Sequence, residues 1–264
     1  MSANMMYTGI SGLNTFNEAL SIAADNIANA NTTAFKSSTI DFGDMVSGLI
    51  PTGTLNTQSQ GVGSQILGVT TDQTTGSEIQ TGLWSDLMIQ GNGYFCVQNS
   101  SGEDYYTRDG SFEINTSGYL TDGNGNEVLD NTGKPIQIED PTSTPYPKYS
   151  SYSITSSGNV TGTDSSGTVT TIAQLGITTF PNPNGLIRDG SNMYTPGSSA
   201  GTAIVGTAGS GQAGPIISGA LEGSNVDLTT QMVNLINYQA DYQANSKSID
   251  TGNTLLQTVV NLIR

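Results

Sequence analysis

Apolar residues recur every seven positions at both ends of this chain, and the long stretch between the ends lacks that spacing. Near the N-terminus the row consists of Met6, Leu13, Leu20 and Ile27, with Ile10 in a second row offset by four. A seven-residue apolar repeat predicts a helix with a narrow apolar stripe, and such a stripe is normally covered by another helix. The chain is therefore predicted to begin with a helix that needs a partner.

The C-terminal repeat is longer and more regular. Its row is formed by Leu228, Leu235, Tyr242, Ile249 and Leu256, flanked by Met232 and Val260. Asp227 stands directly before the row, where a carboxylate can accept hydrogen bonds from the first N–H groups of a helix. A helix of about 36 residues would be ~54 Å long, well above the average length in globular proteins. We expect the two stripes to pair with each other; the alternative is that both helices pack on the chain's own sheet.

The middle of the chain is predicted to be β-structure. Between residues 81 and 220, short runs rich in Tyr, Phe, Val, Ile and Thr alternate with glycine and asparagine turns, as in 94–98 and 122–126. Turn signals every ~8–12 residues are typical of antiparallel sheets. Within this region the glycine-rich stretch 195–215 is predicted to be a loosely ordered return toward the C-terminal helix.

These patterns predict a mixed fold, with terminal α-helices pairing as a coiled coil and a central antiparallel all-β domain. The polar composition of residues 36–80 matches neither the helices nor the strands, so this region is treated as a connection. The predicted divisions are an N-terminal coiled-coil helix over 1–35, an extended connecting segment with some strand pairing over 36–80, the β domain over 81–220, and a C-terminal coiled-coil helix over 221–264.

Composition argues against most enzyme and ligand-binding classes. The chain has no histidine and one cysteine, Cys96, so a Ser-His-Asp triad, an imidazole zinc site and an intrachain disulfide cannot form. Its 22 acidic and 7 basic residues give a formal net charge of −15, which opposes binding to nucleic-acid phosphates or anionic lipid. We therefore predict no catalytic residue, cofactor, metal, nucleic acid or membrane insertion, and expect Cys96 to be buried as a small apolar residue.

Three local motifs allow other interpretations. Residues 122–126 begin like a calcium loop, but Glu127 and Gly133 stand where an EF-hand needs glycine and glutamate, so a β-turn is predicted. Residues 91–95 carry two glycines without the lysine of a phosphate loop, and a hairpin turn is predicted. Six aromatic residues either line a sugar-binding groove, as in a secreted carbohydrate-binding protein, or form the core of the sheet: Tyr94, Phe95, Tyr105, Tyr106, Phe112 and Tyr119.

Three blocks of the sequence together resemble one family. They are SGLNTFNEALSIAADNIANANTTAFKSS (11–38), with the pattern N-I-A-N-x-x-T-x-x-F-K near its end; LMIQGNGYFCVQ with the following YYTRDGSFEINTSGYLTDGNGNEVL (87–129); and ALEGSNVDLTTQMVNLINYQADYQANSKSIDTGNTLLQTVVNLIR (220–264). The blocks cover about half of the chain and lie in the expected order. They are similar to segments of the axial proteins of the bacterial flagellum, the rod and hook family.

The resemblance implies that the terminal helices pair as a coiled coil lining a hollow tube, with the β domain outside them. It implies two kinds of structural partner, namely further copies of the chain and neighbouring rod or hook subunits. It also implies export through the flagellar type III apparatus without a cleavable signal peptide, and a place in the basal body or hook. The chain would then be a structural subunit that transmits motor torque, not an enzyme.

The length of 264 residues favours a distal- or proximal-rod type, because it leaves little room for the extra outer domain of many hook proteins. The opening SGLNTFNEAL and the ending LLQTVVNLIR are more hook-like, so a short hook protein acting as a universal joint is the alternative. In either case the heptad positions are expected to form the assembly interface: Met6, Ile10, Leu13, Leu20, Ile27, Leu228, Met232, Leu235, Tyr242, Ile249, Leu256 and Val260.

Overall fold

A long helix lies near each end of the chain, and strands fill the region between them, in a computed structural model that describes residues 2–46, 61–139 and 149–262. The first helix, α1, runs Ser2–Ala28, and the second, α2, runs Leu228–Leu262. The combination of two terminal helices with a central antiparallel sheet, predicted from the sequence, is confirmed.

The chain divides into two compact units. The helical unit comprises Met1–Ala30, Ser37–Asp72 and Val226–Arg264. The β unit comprises Asn31–Lys36 and Gln73–Asn225. The short segment 31–36, which directly follows α1 in sequence, therefore packs as part of the β unit.

Both helices and one hairpin form the helical unit. The hairpin consists of β1 (Ser38–Val46) and β2 (Gly61–Thr71), which pair antiparallel with Ser38 opposite Thr71. It lies within the region predicted as an extended connection with some strand pairing. The rings of Phe42 on β1, Phe16 on α1 and Tyr238 on α2 contact one another, with centroid distances of 5.9, 6.1 and 6.3 Å. The hairpin and both helices thus meet in one aromatic cluster.

The remaining described strands are short and belong to the β unit. In chain order they are β3 (Glu78–Gln80), β4 (Leu87–Ile89), β5 (Tyr94–Gln98), β6 (Asp104–Thr107), β7 (Glu113–Ile114), β8 (Leu120–Thr121), β9 (Glu127–Val128), β10 (Ser151–Ile154), β11 (Asn159–Thr163), β12 (Val169–Gln174), β13 (Gly176–Thr179), β14 (Leu186–Gly190), β15 (Met193–Pro196), β16 (Ile204–Thr207), β17 (Ile216–Ser218) and β18 (Ala220–Glu222). The largest sheet has the order β14-β15-β6-β5-β9-β8-β7, with β13 pairing to both β5 and β16. Smaller sheets are β10-β11-β12, β17-β4 and β18-β3.

Two clusters of buried apolar side chains form the core of the β unit. The larger contains Phe95 and Phe112, whose rings meet edge to face at 5.1 Å. The smaller contains Cys96 together with Tyr94 and Tyr106. Adjacent residues of β5 face opposite sides of their strand, so this one strand supplies both clusters. The prediction that Cys96 is buried as a small apolar residue is confirmed.

Local predictions in the middle region had mixed outcomes. The turn at 122–126 is confirmed: Asp122 Oδ1 accepts hydrogen bonds from the N–H groups of Asn124 and Asn126 at 2.9 and 2.8 Å. The hairpin turn predicted at 91–95 is wrong, because β4 pairs with β17 and β5 pairs with β6. The loosely ordered return predicted at 195–215 is also wrong in part, since β16 lies within it and pairs with β13.

Candidate assembly interface

Glycines and polar side chains make the closest approach between α1 and α2, which pack against each other. A Cβ atom added to Gly9 would lie 2.7 Å from Cγ1 of Ile249, and one added to Gly12 would lie 2.6 Å from Oδ1 of Asn245. Gly252 is buried opposite Met6, but a Cβ added there would keep an ordinary contact distance of 3.4 Å from the Met6 side chain. Because Gly9 and Gly12 have no side chain, α2 can come close to α1 at these two positions.

Asn26 connects α1 to the hairpin. It is buried, its Nδ2 donates to the Ser38 carbonyl oxygen at 2.8 Å, and its Oδ1 accepts from the Ser38 N–H at 2.9 Å. Nδ2 also lies 3.3 Å from Oε1 of Gln231 on α2. The Asn26 amide thus pairs with both backbone groups of the first residue of β1. This matters because a buried N–H or C=O without a partner costs free energy comparable to a lost hydrogen bond.

The predicted interface residues of α1 are not its buried face. That face is formed by Gly9, Gly12, Thr15, Ala19, Ala23 and Asn26. Met6, Leu13, Leu20 and Ile27 lie beside it and are half-buried, whereas Ile10 is exposed. A stripe that is only half covered within one chain remains available to another.

The predicted interface residues of α2 are more exposed still. Leu235 and Ile249 are half-buried, while the other five stand in solvent: Leu228, Met232, Tyr242, Leu256 and Val260. Val260 is 61 % exposed. Ile236, which is not part of the heptad row, is 62 % exposed. Burying a Leu, Ile or Val side chain contributes about 1.5–3 kcal/mol, so α2 presents a surface that gains strongly from being covered.

The hairpin also carries exposed apolar side chains that sequence reasoning missed. Leu67 and Val69 of β2 are 68 % and 50 % exposed, and Val46 at the end of β1 is 58 % exposed. The strand signal was hidden because Gly, Thr and Gln separate these residues in a polar stretch. The exposed apolar side chains of the helical unit therefore lie on the hairpin as well as on α2.

In the β unit, segment 31–36 (the docked segment) is held by an enclosed ion pair. Lys36 and Glu222 have no exposed side-chain surface, and Nζ of Lys36 lies 2.5 Å from Oε1 of Glu222. Nζ also donates to the Thr74 carbonyl oxygen at 2.6 Å, and the N–H of Gly76 donates to the same Oε1 at 3.0 Å. The backbone of the docked segment also contacts Glu222, since the N–H of Ala34 donates to the Glu222 carbonyl oxygen at 2.7 Å.

A second cation stands on the other side of that carboxylate. Arg108 is 2 % exposed, and its Nη1 donates to the Gly91 carbonyl oxygen at 2.7 Å while lying 3.6 Å from Oε2 of Glu222. Its guanidinium also sits 5.0 Å from the centroid of the Tyr94 ring, in the geometry of a cation–π contact. Glu222 is thus flanked by two positive side chains from different parts of the sequence.

The rest of the docked segment contacts β14 and the turn between β14 and β15. Asn192 Nδ2 donates to the Thr33 carbonyl oxygen at 2.7 Å, and the Arg188 guanidinium lies 4.6 Å from the Phe35 ring. Ala34, Phe35 and Lys36 are all buried. In the sequence, the only sign of this docking is the Phe-Lys pair that closes the N-I-A-N-x-x-T-x-x-F-K pattern.

Burial also changes the ionisation of groups in the smaller core cluster. It raises the pKa of the Cys96 thiol to about 12, with a further contribution from the Asp104 charge. It raises the pKa of Tyr106 to about 12, and likewise that of Tyr94, where the Arg108 charge offsets part of the effect. Transfer to a low-dielectric interior disfavours the charged form of each group. These side chains therefore act as neutral packing groups.

Asp227 begins α2 as predicted. Its Oδ1 accepts from the Thr229 N–H at 3.0 Å and its Oδ2 accepts from the Thr230 hydroxyl at 2.7 Å. The Thr230 hydrogen bond, followed by that of the Thr229 backbone, lowers the pKa of this carboxyl. A charged acceptor at this position also interacts favourably with the helix dipole.

The sugar-groove interpretation loses most of its residues in the structure. Tyr94, Phe95, Tyr106 and Phe112 are buried in the two core clusters, and only Tyr105 and Tyr119 are partly exposed. The sheet-core alternative is therefore the correct one for the four buried aromatics. Neither helix of the described part of the chain combines the length and apolarity that crossing a membrane requires.

Comparison with known proteins places three segments of the chain in related families. Residues 6–36 match "Flagella basal body rod protein", residues 88–162 match "Flagellar hook protein FlgE/F/G D1 domain", and residues 217–262 match "Flagellar basal body rod FlgEFG protein C-terminal". These are close to the three blocks identified in the sequence.

Individual relatives agree. The flagellar basal-body rod protein FlgG of Bacillus subtilis is 39% identical over 268 residues, covering 98% of each chain. The FlgG of Agrobacterium fabrum is 31% identical over 255 residues, covering 91% of this chain and 92% of its own. The flagellar hook protein FlgE of Escherichia coli is 24% identical over an alignment of 404 residues, covering 96% of this chain and 98% of its own.

Proposed function

The chain belongs to the flagellar rod and hook protein family and is one of its structural subunits, and from this we propose that copies of it polymerise into a hollow helical tube that transmits motor torque. Contacts between different surfaces of identical subunits, when they do not close into a ring, propagate a helix. Exposed apolar side chains occur on both α2 and the hairpin of the helical unit. Neighbouring copies can cover these side chains in contacts of this kind.

The observation that carries this proposal is the exposure of α2. Five of its seven predicted interface residues stand in solvent although they keep the heptad spacing. In a chain with a net charge of −15, apolar side chains are the groups best able to hold like-charged copies together, because their attraction does not depend on charge. We propose that in the polymer α1 and α2 act as a coiled coil and that the heptad row is covered by neighbouring copies and adjacent rod or hook subunits.

We further assign the chain to the rod, as a distal- or proximal-rod type, in preference to the hook. The match to the B. subtilis rod protein extends over nearly the whole of both chains. The alignment with the E. coli hook protein spans 404 residues, so that relative carries long segments that a chain of 264 residues lacks. A short hook protein remains the alternative to be separated by experiment.

Two further parts of the proposal rest on family membership. We propose that the chain leaves the cell through the flagellar type III export apparatus without cleavage of a signal peptide, and that its place is the basal body. Terminal helices that gain much of their burial from neighbours are expected to be disordered before assembly, which suits passage through a narrow channel.

Polymerisation of the purified full chain tests the proposal. Leu235→Asp and Leu256→Asp place a charge in the heptad row and should abolish tubes seen by electron microscopy, whereas Gln239→Asp, at an exposed position outside the row, should leave them intact. Far-UV circular dichroism should show a gain of helix when monomer becomes polymer. Normal assembly of both Leu variants, with fully helical monomers, would show that the heptad row does not drive association.

Tube shape and a gene deletion separate the alternatives. A straight, stiff tube supports the rod, and a supercoiled, flexible one supports the hook. Deleting the gene should abolish motility and leave basal bodies truncated at the missing segment. A motile deletion strain would place the protein outside the flagellum.

A further inference from the structure

Glu222 has two buried cations within reach but is hydrogen-bonded to only one of them. Lys36 Nζ and the Gly76 N–H both donate to Oε1. Oε2 has no hydrogen-bond partner among the described residues, although Nη1 of Arg108 lies 3.6 Å away. The carboxylate is therefore turned toward the docked segment, with half of its accepting capacity unused.

Arg108 has an unused hydrogen-bond donor, as Glu222 has an unused acceptor. Its Nε is buried and, within the described part of the chain, has no hydrogen-bond partner. Hydrogen bonds between a guanidinium and a carboxylate are among the strongest in proteins, and a buried donor or acceptor left unpaired is costly. A carboxylate can accept from two cations at once, one on each oxygen, and the unused oxygen of Glu222 is the one that lies near Arg108. Arg108 is thus positioned to keep the carboxylate paired if Lys36 withdraws.

The backbone of the docked segment carries strain two residues before Lys36. Ala34 has a φ of +56°, and the other non-glycine residues with positive φ among those described are Ser191 and Asn192. The latter two form the β14–β15 turn, a type of turn in which this conformation is ordinary. Ala34 is not in a hairpin turn, and its Cβ makes the left-handed conformation unfavourable. Such strain persists only where surrounding contacts hold it.

We propose that the β unit has two folded states, one in which Lys36 of the docked segment holds Glu222 and one in which residues 31–36 have left and Arg108 holds it instead. In the second state the carboxylate remains paired, so the departure of Lys36 does not leave a buried charge alone. The segment is the covalent link between α1 and β1. In the docked state this link is therefore held on the β unit, and in the second state it is released. This inference does not depend on polymerisation of the chain.

Hydrogen exchange of the full-length monomer, followed by mass spectrometry, tests the existence of the second state. Amides of 31–36 should exchange at least ~10-fold faster than those of β4 and β5, because local opening precedes global unfolding. Low concentrations of urea should accelerate the reference strands and leave 31–36 nearly unchanged, since a local opening exposes little surface. Equal rates and equal urea dependence would mean that the segment leaves only when the whole unit unfolds, and the proposal would fail.

Two arginine variants test the role of Arg108. Arg108→Met removes the replacement cation, so the ratio of exchange rates between 31–36 and the reference strands should fall severalfold. Arg188→Met, which removes the cation lying over Phe35, weakens the docked state instead and should raise that ratio. If Arg108→Met does not fold, Arg108→Lys, which keeps the charge with fewer donors, should lower the ratio to a smaller extent. A rise of the ratio in the Arg108 variants would show that Arg108 only supports the docked state and would overturn the proposal.

Discussion

Lys36 and Glu222 form an ion pair with a separation of 2.5 Å between Nζ and Oε1, although 186 positions separate them in the sequence. Lys36 ends the first passage of the chain through the β unit, and Glu222 lies three residues before the end of the second. One enclosed contact therefore joins the two passages. Because the side chains are inaccessible to water, the loss of either partner cannot be compensated by hydration.

Replacing Glu222 should strongly destabilise the β unit. Glu222→Gln leaves Lys36 and Arg108 beside a neutral side chain, and removing one partner of a buried ion pair typically costs about 3–5 kcal/mol. Urea unfolding followed by the fluorescence of Trp84, the single tryptophan, measures the free energy of unfolding. Glu113→Gln, at an exposed strand position, is the matched control and should change it by less than ~0.5 kcal/mol. An equally small effect of Glu222→Gln would contradict the structure.

Two alanine substitutions in the helices should have opposite effects. Gly252→Ala has space for its methyl group and should stabilise α2 by about 0.5–1 kcal/mol through helix propensity. Gly9→Ala places a methyl group 2.7 Å from Ile249 Cγ1, and overpacking of about 1–3 kcal/mol should cancel or exceed the same gain. Thermal unfolding of the assembled protein, followed by far-UV circular dichroism, checks the order of stability. A higher midpoint for Gly9→Ala than for Gly252→Ala would show that the helices are farther apart.

Removing the Asn26 amide should weaken the attachment of β1 to α1. Asn26→Ala removes both hydrogen bonds that the Asn26 amide makes to the backbone of Ser38, and losing the partner of a buried polar group costs about 1–3 kcal/mol. Asn14→Ala, at an exposed position of the same helix, should instead be neutral or slightly stabilising because alanine is the better helix former. Proteolysis of the hairpin and the midpoint of chemical unfolding, both on the assembled protein, are the two measurements. Similar behaviour of both variants would contradict a structural role for Asn26.

Stability should fall in alkaline solution through buried tyrosines. Burial raises the pKa of Tyr106 from 10.0 to about 12, so the unfolded chain releases this proton at lower pH than the folded chain. The contribution is complete below about pH 10 and is lost as the pH rises toward about 12. Tyr106→Phe should therefore shift the alkaline unfolding midpoint upward while leaving urea unfolding at about pH 8 little changed. A pH profile identical to that of the unmodified chain would show that Tyr106 is not protected from ionisation.

Sequence periodicity predicted the helices well but not which face of α1 is covered. The heptad rule counts apolar residues, and the covered face of α1 consists of glycine, alanine, threonine and Asn26. Close helix packing rewards small residues, and Asn26 is buried because it satisfies the backbone of β1. Asp227, by contrast, was predictable because a helix start needs only local residues.

The enclosed ion pair could not be predicted at all. Neither Lys36 nor Glu222 stands in a charged or catalytic pattern, and only the fold brings them together across the sequence. The short strand β16 was missed for a related reason, since Ile204 and Val205 are surrounded by glycines and become a strand only beside β13. Non-local contacts decided both cases.

The aliphatic side chains of α2 that stand in solvent belong to a molecule with a net charge of −15. In dilute buffer the mutual repulsion of such molecules reaches farther than any hydrophobic contact. At about 0.15 M salt the Debye length shrinks to about 8 Å, and colliding molecules approach closely enough for their apolar surfaces to touch. If the chain polymerises as proposed, added salt is therefore expected to shorten the lag before growth while leaving the contacts within each molecule unchanged.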